Sequence, residues 1–213
     1  MKVALVKPSV IQGVTRGAGF YGKNLEDALA KLSQLEITDV NPEIVHYLYF
    51  DLFFLTLPPI RKQKTVVTVF DLTPLVLSDL YWPGIRGKIK WQIQKNLLKT
   101  VDHIITISQS AKKDIAKIAG IPQEKITVTY LAAGKECVKL PLPKDDTILY
   151  IGDINPNKNI SSLLKAVAIL KKEKLVMVGK ALMESVEIKK EIESLGIGDR
   201  VTLTGFVEEK KKV

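Results

Sequence analysis

The stretch Ile148–Leu170, ILYIGDINPNKNISSLLKAVAIL, runs an apolar segment into a short polar loop and then into an amphipathic helix. Ile160, Leu163, Leu164, Val167 and Leu170 fall on one face at the helical period, and Asn159 or Asn157 is placed to cap it. Lys158 stands where that helix begins. A helix N-terminus already carries partial positive charge and unpaired N–H groups. A cation there adds nothing to helix stability and suits an anion held at the carboxyl end of a strand. An ordinary capped helix with a surface lysine fits these residues equally well.

The same alternation of strand and helix fills the chain. Short β-rich runs occur at 3–6, 44–50, 65–70, 103–107, 126–130, 148–152, 174–179 and 200–205, several continuous rather than alternating, which suits strands buried on both faces of a parallel sheet. Helical patterns lie between them near 22–35, 85–100, 109–119, 159–172 and 184–195. The rhythm predicts an open, doubly wound α/β architecture. Residues 133–147, AGKECVKLPLPKDDT, interrupt it with proline, glycine and mixed charge. The expected organisation is a complete Rossmann-like domain over 1–134, a linker over 135–147 and a partial second Rossmann-like domain over 148–213, whose three strands are few for an independent fold.

With 213 residues and 46% hydrophobic content the chain can bury a sizeable core, and its net charge of +9 asks for an anionic partner: nucleic acid, an acidic membrane surface or a phosphorylated substrate. The single cysteine, Cys137, excludes an intramolecular disulfide and a cysteine zinc site and points to a reducing cytoplasm. No run approaches the roughly 18 apolar residues of a membrane span, and MKVALVKPSV is too short in its apolar part for a signal peptide. The expected location is the cytoplasm or the inner face of the membrane.

GAGFYG at 17–22 matches G-x-G-x-x-G, but about ten loop residues separate it from the first strand and no acid follows at the dinucleotide spacing. It is read instead as a flexible glycine loop that grips a substrate or phosphate, with Arg16 adding charge; nicotinamide binding is the weaker option. Asp71 closes the run TVVTVFD at a strand end, where a site residue and a turn cap are equally apt. Ser108 and Ser110 stand at a strand-to-helix turn, where a hydroxyl cap is the plainer reading. His46 and His103 sit within apolar strands as structural residues, and the absence of D-x-D leaves no carboxylate pair for a metal-bound diphosphate. Trp82 and Trp91, among Arg86, Lys88, Lys90, Lys95 and Lys99, suit either an anionic membrane surface or a solvated helix packed through its tryptophan.

Five collinear segments, from Met1 to about Val207, resemble the family 4 glycosyltransferases of the two-domain GT-B type. They are the glycine pair Gly17 and Gly19, TVFDLTPLV, VDHIITISQSAKKDIAKIAGIPQEKITVTYLAAG, ILYIGDINPNKNISSLLKAVAIL, and LVMVGK with LGIGDRVTLTGFV. The resemblance implies a retaining, metal-independent transferase. It would move a hexose, with mannose among the options, from a nucleotide-diphosphate donor to a glycan or lipid-linked acceptor, with no cofactor. Lys158 with Asn159 matches the family's diphosphate-binding position, and Gly17 and Gly19 match its donor-phosphate loop. Arg16 and Tyr21 fall on the acceptor side, and Asp71 and Ser108 at its interdomain cleft. Peripheral contact with an anionic membrane is compatible with this, and nucleic acid is not expected.

Three departures stand out. Phe70 replaces the family's histidine, Asp153 stands where many members add an arginine, and no two glutamates lie eight positions apart as the family's E-x7-E pair requires. The second domain is thus expected to be truncated and transfer by this chain alone impaired. A non-catalytic module that binds an acidic partner or membrane through its basic face is the competing reading.

Overall fold

The computed structural model describes residues 1–7, 17–134, 145–179, 185–205 and 207. The chain divides into two compact units, Met1–Gly134 and Lys135–Val213. Of the expected linker, 135–144 lies outside the described residues, and Thr147 already belongs to a strand.

The first unit runs β1 (Lys2–Val6), α1 (Gly17–Leu29), β2 (Glu36–Ile37), β3 (Ile44–Tyr47), β4 (Lys64–Thr68), α2 (Thr73–Val76), α3 (Gly84–Lys99), β5 (His103–Thr106), α4 (Gln109–Asp114) and β6 (Ile126–Val128). Its sheet has the order β2-β1-β3-β4-β5-β6, and each pairing is parallel. Parallel neighbours need crossovers that lay helices on the sheet, which is why these strands carry Val, Ile and Leu with little alternation. The order reverses at β1, and an open sheet of this kind leaves its crevice beyond the carboxyl ends of the strands at such a point. Two-residue β2 escapes any periodicity argument.

The glycine motif is not a loop. Helix α1 begins at Gly17, five residues before the expected start, and Gly19 and Gly22 are buried on one face of it. Glycines three apart line up on one side of a helix, and without a Cβ they let that side approach its neighbours closely. Helix α3 buries Gly87, Trp91, Gln94 and Leu98 at helical spacing. Its Trp91 joins Val67, Val69, Leu72 and Ile104 in the core of the unit. After α4 the chain widens into a π-helical turn over Ile115–Gly120 and stops at Gly120, whose φ of 69° is left-handed.

The second unit runs β7 (Thr147–Ile151), α5 (Ile160–Ile169), β8 (Lys174–Val178), α6 (Val186–Ser194) and β9 (Val201–Gly205), with a parallel sheet in the order β7-β8-β9. Ile160, Leu164 and Val167 of α5 and Ile188 and Ile192 of α6 pack on Leu175 and Met177 of β8. Strand β7 departs from the expectation of burial on both faces. Ile148 and Tyr150 turn to this core, while Leu149 and Ile151 are half exposed, because α5 and α6 pack on the same side.

The guanidinium of Arg200 donates to the carbonyls of Val167 at 3.0 Å and Leu170 at 2.7 Å, which closes the carboxyl end of α5. Replacing Arg200 by Ala is expected to lower the unfolding free energy by about 2 kcal/mol. Urea denaturation reads this directly, and an unchanged midpoint would contradict it.

Candidate functional site

Beyond the carboxyl ends of β3 and β4 lies a pocket of about 290 Å3, lined among others by Tyr49, Asp51, Phe53, Phe70, Asp71 and Pro74. Phe70 stands edge-on to Tyr21, centroids 5.2 Å apart, and 5.8 Å from Tyr49. Asp71 is exposed, and its Oδ1 accepts from the Thr73 N–H at 2.8 Å at the start of α2. The Asp51 Oδ1 likewise accepts from the N–H groups of Phe53 and Phe54, at 2.8 and 3.0 Å. Each carboxylate thus fixes its own turn with one oxygen and presents aromatic neighbours around the same pocket.

Beneath it Thr68 Oγ1 lies 2.8 Å from His46 Nε2 and 3.1 Å from the Tyr21 hydroxyl, which ties α1 to β3 and β4. Burial pushes the His46 pKa down to about 4, so the imidazole is neutral at pH 7. Burial also raises the Tyr21 pKa, only partly offset by the bond to Thr68.

Gln94, fully buried on α3, holds the pocket's loop wall. Its amide NH2 donates to the carbonyls of Asp51 at 3.1 Å and Phe54 at 2.6 Å, and its Oε1 accepts from Leu57 N at 3.4 Å.

The sequence-predicted residues distribute as follows. Tyr21 and Asp71 meet at one end of the sheet through Phe70. Gly17 and Gly19 share the helix of Tyr21, and a Cβ at exposed Gly17 would meet nothing within 4 Å among the described residues. Arg16 lies outside the described residues. Ser108 follows β5, the next strand, and caps α4 by accepting from Ala111 N at 3.1 Å. Tyr49, Asp51 and Gln94 escaped the sequence reading, although an acid just past an apolar strand, the signal that selects Asp71, also marks Asp51.

Lys158 and Asn159 belong to the second unit. Pro156–Lys158 form a single 3-10 turn, and Lys158 is exposed. Asn159 takes the cap position of α5, but with φ 49° and ψ 50° and without the expected side-chain cap. This left-handed conformation suits asparagine, and the Asn159 carbonyl instead accepts from Ser162 N at 3.1 Å. The loop is anchored upstream by the Tyr150 hydroxyl, which donates to the Asp153 carbonyl at 2.9 Å. A Cβ at Gly152 would stand 2.9 Å from that hydroxyl, so a side chain there would push the Tyr150 hydroxyl off its present position. Among the described residues no group of three His, Cys, Asp or Glu is placed to hold a metal ion.

Residues 7–132 match the family model described as Glycosyltransferase Family 4, and residues 135–213 match that of Glycosyl transferases group 1. The chain is 30% identical over 110 residues to the O-antigen chain mannosyltransferase RfbU of Salmonella typhimurium, a match over 52% of the chain and 30% of that protein. It is 26% identical over 200 residues to the serotype-specific mannosyltransferase WbdA of Escherichia coli, over 81% of the chain and 24% of that protein. The matches thus span less than a third of either relative's length. Among solved structures, the apo lipopolysaccharide outer core galactosyltransferase WaaB superimposes with a TM-score of 0.59 at 17% identity, over 100% of this chain and 70% of that one. Anabaena Alr3699/HepE, in complex with UDP and glucose, superimposes with a TM-score of 0.69 at 14% identity, over 98% and 70%.

Proposed function

We infer that this chain, which belongs to glycosyltransferase family 4, transfers a hexose from a nucleotide-diphosphate donor to a glycan or lipid-linked acceptor. The observation that carries this reading is the turn Pro156–Asn159, which presents Lys158 to solvent between a strand's carboxyl end and the start of α5. There the ammonium and the N–H groups of the helix's first turn neutralise the diphosphate as the bond from the anomeric carbon to its oxygen breaks, and so stabilise charge that grows toward the transition state. Gly17, exposed at the start of α1, is assigned to the donor phosphates, with Gly19 packed on the buried face of the same helix. Because lysine and helix N–H groups take that charge, donor binding is proposed to be metal-independent; retention of the anomeric configuration is proposed from the family alone.

The first unit's pocket supports the acceptor side. Aromatic rings such as Phe70 and Tyr49 suit the C–H face of a sugar, and Asp51 and Asp71 each have a carboxylate to accept from its hydroxyls. Tyr21, edge-on to Phe70, and Arg16, as the resemblance implies, are assigned to the same side. Mannose is the favoured hexose, since relatives over both halves of the chain are mannosyltransferases. With the E-x7-E pair missing from these residues, turnover by the 213-residue chain is expected to be impaired. The proposed place of action is the cytoplasm or the inner face of a membrane; among the described residues no helix is long and apolar enough to cross one.

Calorimetric titration with uridine and guanosine diphosphates and their sugars tests the donor site. Lys158→Ala is expected to raise Kd roughly tenfold, the loss of one charge-assisted contact, and a chelator to leave Kd unchanged. No binding by the parent chain, or binding indifferent to the substitution, would overturn the assignment.

A further inference from the structure

Helix α3 carries a second apolar face that the described residues leave exposed. Opposite the buried Trp91, Gln94 and Leu98, residues Ile85, Ile89 and Ile93 recur every fourth position and stand 77%, 57% and 45% exposed. Trp82, just before the helix, is 77% exposed, and Phe54 beside it is 60% exposed. Three branched side chains and two aromatic rings in water on one surface are more than scattered exposure explains.

The charge around this stripe has one sign. Arg86, Lys88, Lys90, Lys95 and Lys99 are the ionisable residues of α3, and it has no acid. On an ideal helix Arg86 and Lys90 fall on one flank of the isoleucines, and Lys88, Lys95 and Lys99 on the other. Lys88 Nζ sits 4.4 Å over the Trp82 ring and Lys90 Nζ 5.0 Å over that of Phe54. An apolar ridge banked on both sides by long basic side chains, with aromatics at its end, has the layering of a bilayer's acyl boundary beneath anionic headgroups. A helical protein partner would need the ridge but not cations on both banks.

We propose that α3, with Trp82 and Phe54, docks the protein peripherally on an anionic lipid bilayer. The ridge enters the headgroup boundary and the lysines and arginine stay at phosphate level. The helix that carries this surface abuts the pocket of the first unit through its other, buried face. Phe53 lines that pocket, and a Cβ added at Gly87 of α3 would stand 3.5 Å from its ring. Docking therefore brings the unit that carries the pocket to the membrane, where a lipid-linked acceptor is delivered. That choice of acceptor rests on the transfer reading above, whereas the docking does not.

The test is cosedimentation of the 213-residue chain with vesicles of phosphatidylcholine alone or mixed with phosphatidylglycerol, without nucleotide or sugar. Partition is expected only into the anionic vesicles, and to fall at least tenfold when salt shortens the Debye length from about 10 to about 3 Å. Ile89→Ser and Lys88→Ser, both at exposed positions, should each reduce it roughly fivefold while leaving the thermal midpoint in place. Tryptophan emission gives a second readout. On anionic vesicles it should shift to the blue and be quenched by brominated lipid, and Trp82→Phe should abolish both changes, since Trp91 is already buried. Three results would overturn the proposal: no partition, partition with Trp82 still in water, or a dimer in lipid-free solution that Ile89→Ser dissociates. Vesicle binding with no nucleotide binding would leave the docking standing and reject the transfer reading.

Discussion

Between pH 6.5 and about 4 the protein is expected to lose about 3 kcal/mol of stability through His46 alone. The folded state holds this imidazole neutral, with a pKa lowered by burial from 6.5 to about 4. The unfolded chain binds the proton throughout that interval and the folded protein does not, so each step down in pH favours unfolding. The contribution is fully present above pH 6.5 and is gone below about 4. Urea midpoints measured across the window should fall steadily for the parent and more shallowly for His46→Gln. Parallel profiles would mean that His46 does not govern the slope. The bond from Thr68 to His46 and Tyr21 makes this a functional matter too, because the same contact seats Tyr21 against Phe70 at the pocket.

Gln94→Ala is expected to cost a comparable amount, about 3 kcal/mol, the sum of a small cavity and backbone groups left without partners. Gln94 is fully buried, and its three bonds to the Asp51, Phe54 and Leu57 backbone hold the pocket's loop wall on α3. Gln94→Leu refills the volume and leaves the same groups unpaired, so it should recover only a minor part. If the leucine variant matched the parent in denaturant, the bonds would be without net weight and the side chain merely a filler. Hydrogen exchange localises the effect: faster exchange at Phe53, Phe54 and Leu57 is expected in both variants.

The α/β class was legible because buried parallel strands are written as short apolar runs at regular intervals, as β1 and β8 are, and the resemblance to family 4 because five segments stand in the family's order. The glycine motif misled for a physical reason. Glycine marks flexible loops and buried helix faces alike, and here the backbone is helical from Gly17 with Gly19 and Gly22 buried. Asn159 was right as a position and wrong as a mechanism, since its sequence does not reveal a left-handed backbone. Strand β7 shows a similar limit: its five residues report hydrophobicity and not which layers cover them. Gln94 was invisible, being a polar residue in a basic helix until its backbone partners, some 40 positions away, are known. The sharpest contrast is α3, whose two apolar faces blur any single amphipathic pattern, so the sequence alone could not say which tryptophan turned inward.

The order of the first sheet also sets a timetable. Strand β1, the earliest made on the ribosome, lies between β2 and β3, and later strands add outward until β6 ends at Val128. The six described strands of that unit are therefore synthesised before β7, the first described strand of the second, begins at Thr147. Parallel pairing is slow because each new strand must wait for a crossover to close, and domains emerge at about 5–20 residues per second. Nascent chains of this protein can thus begin to pair the first sheet before the second is fully synthesised, which partly separates in time two sets of strands that would otherwise compete for the same edges.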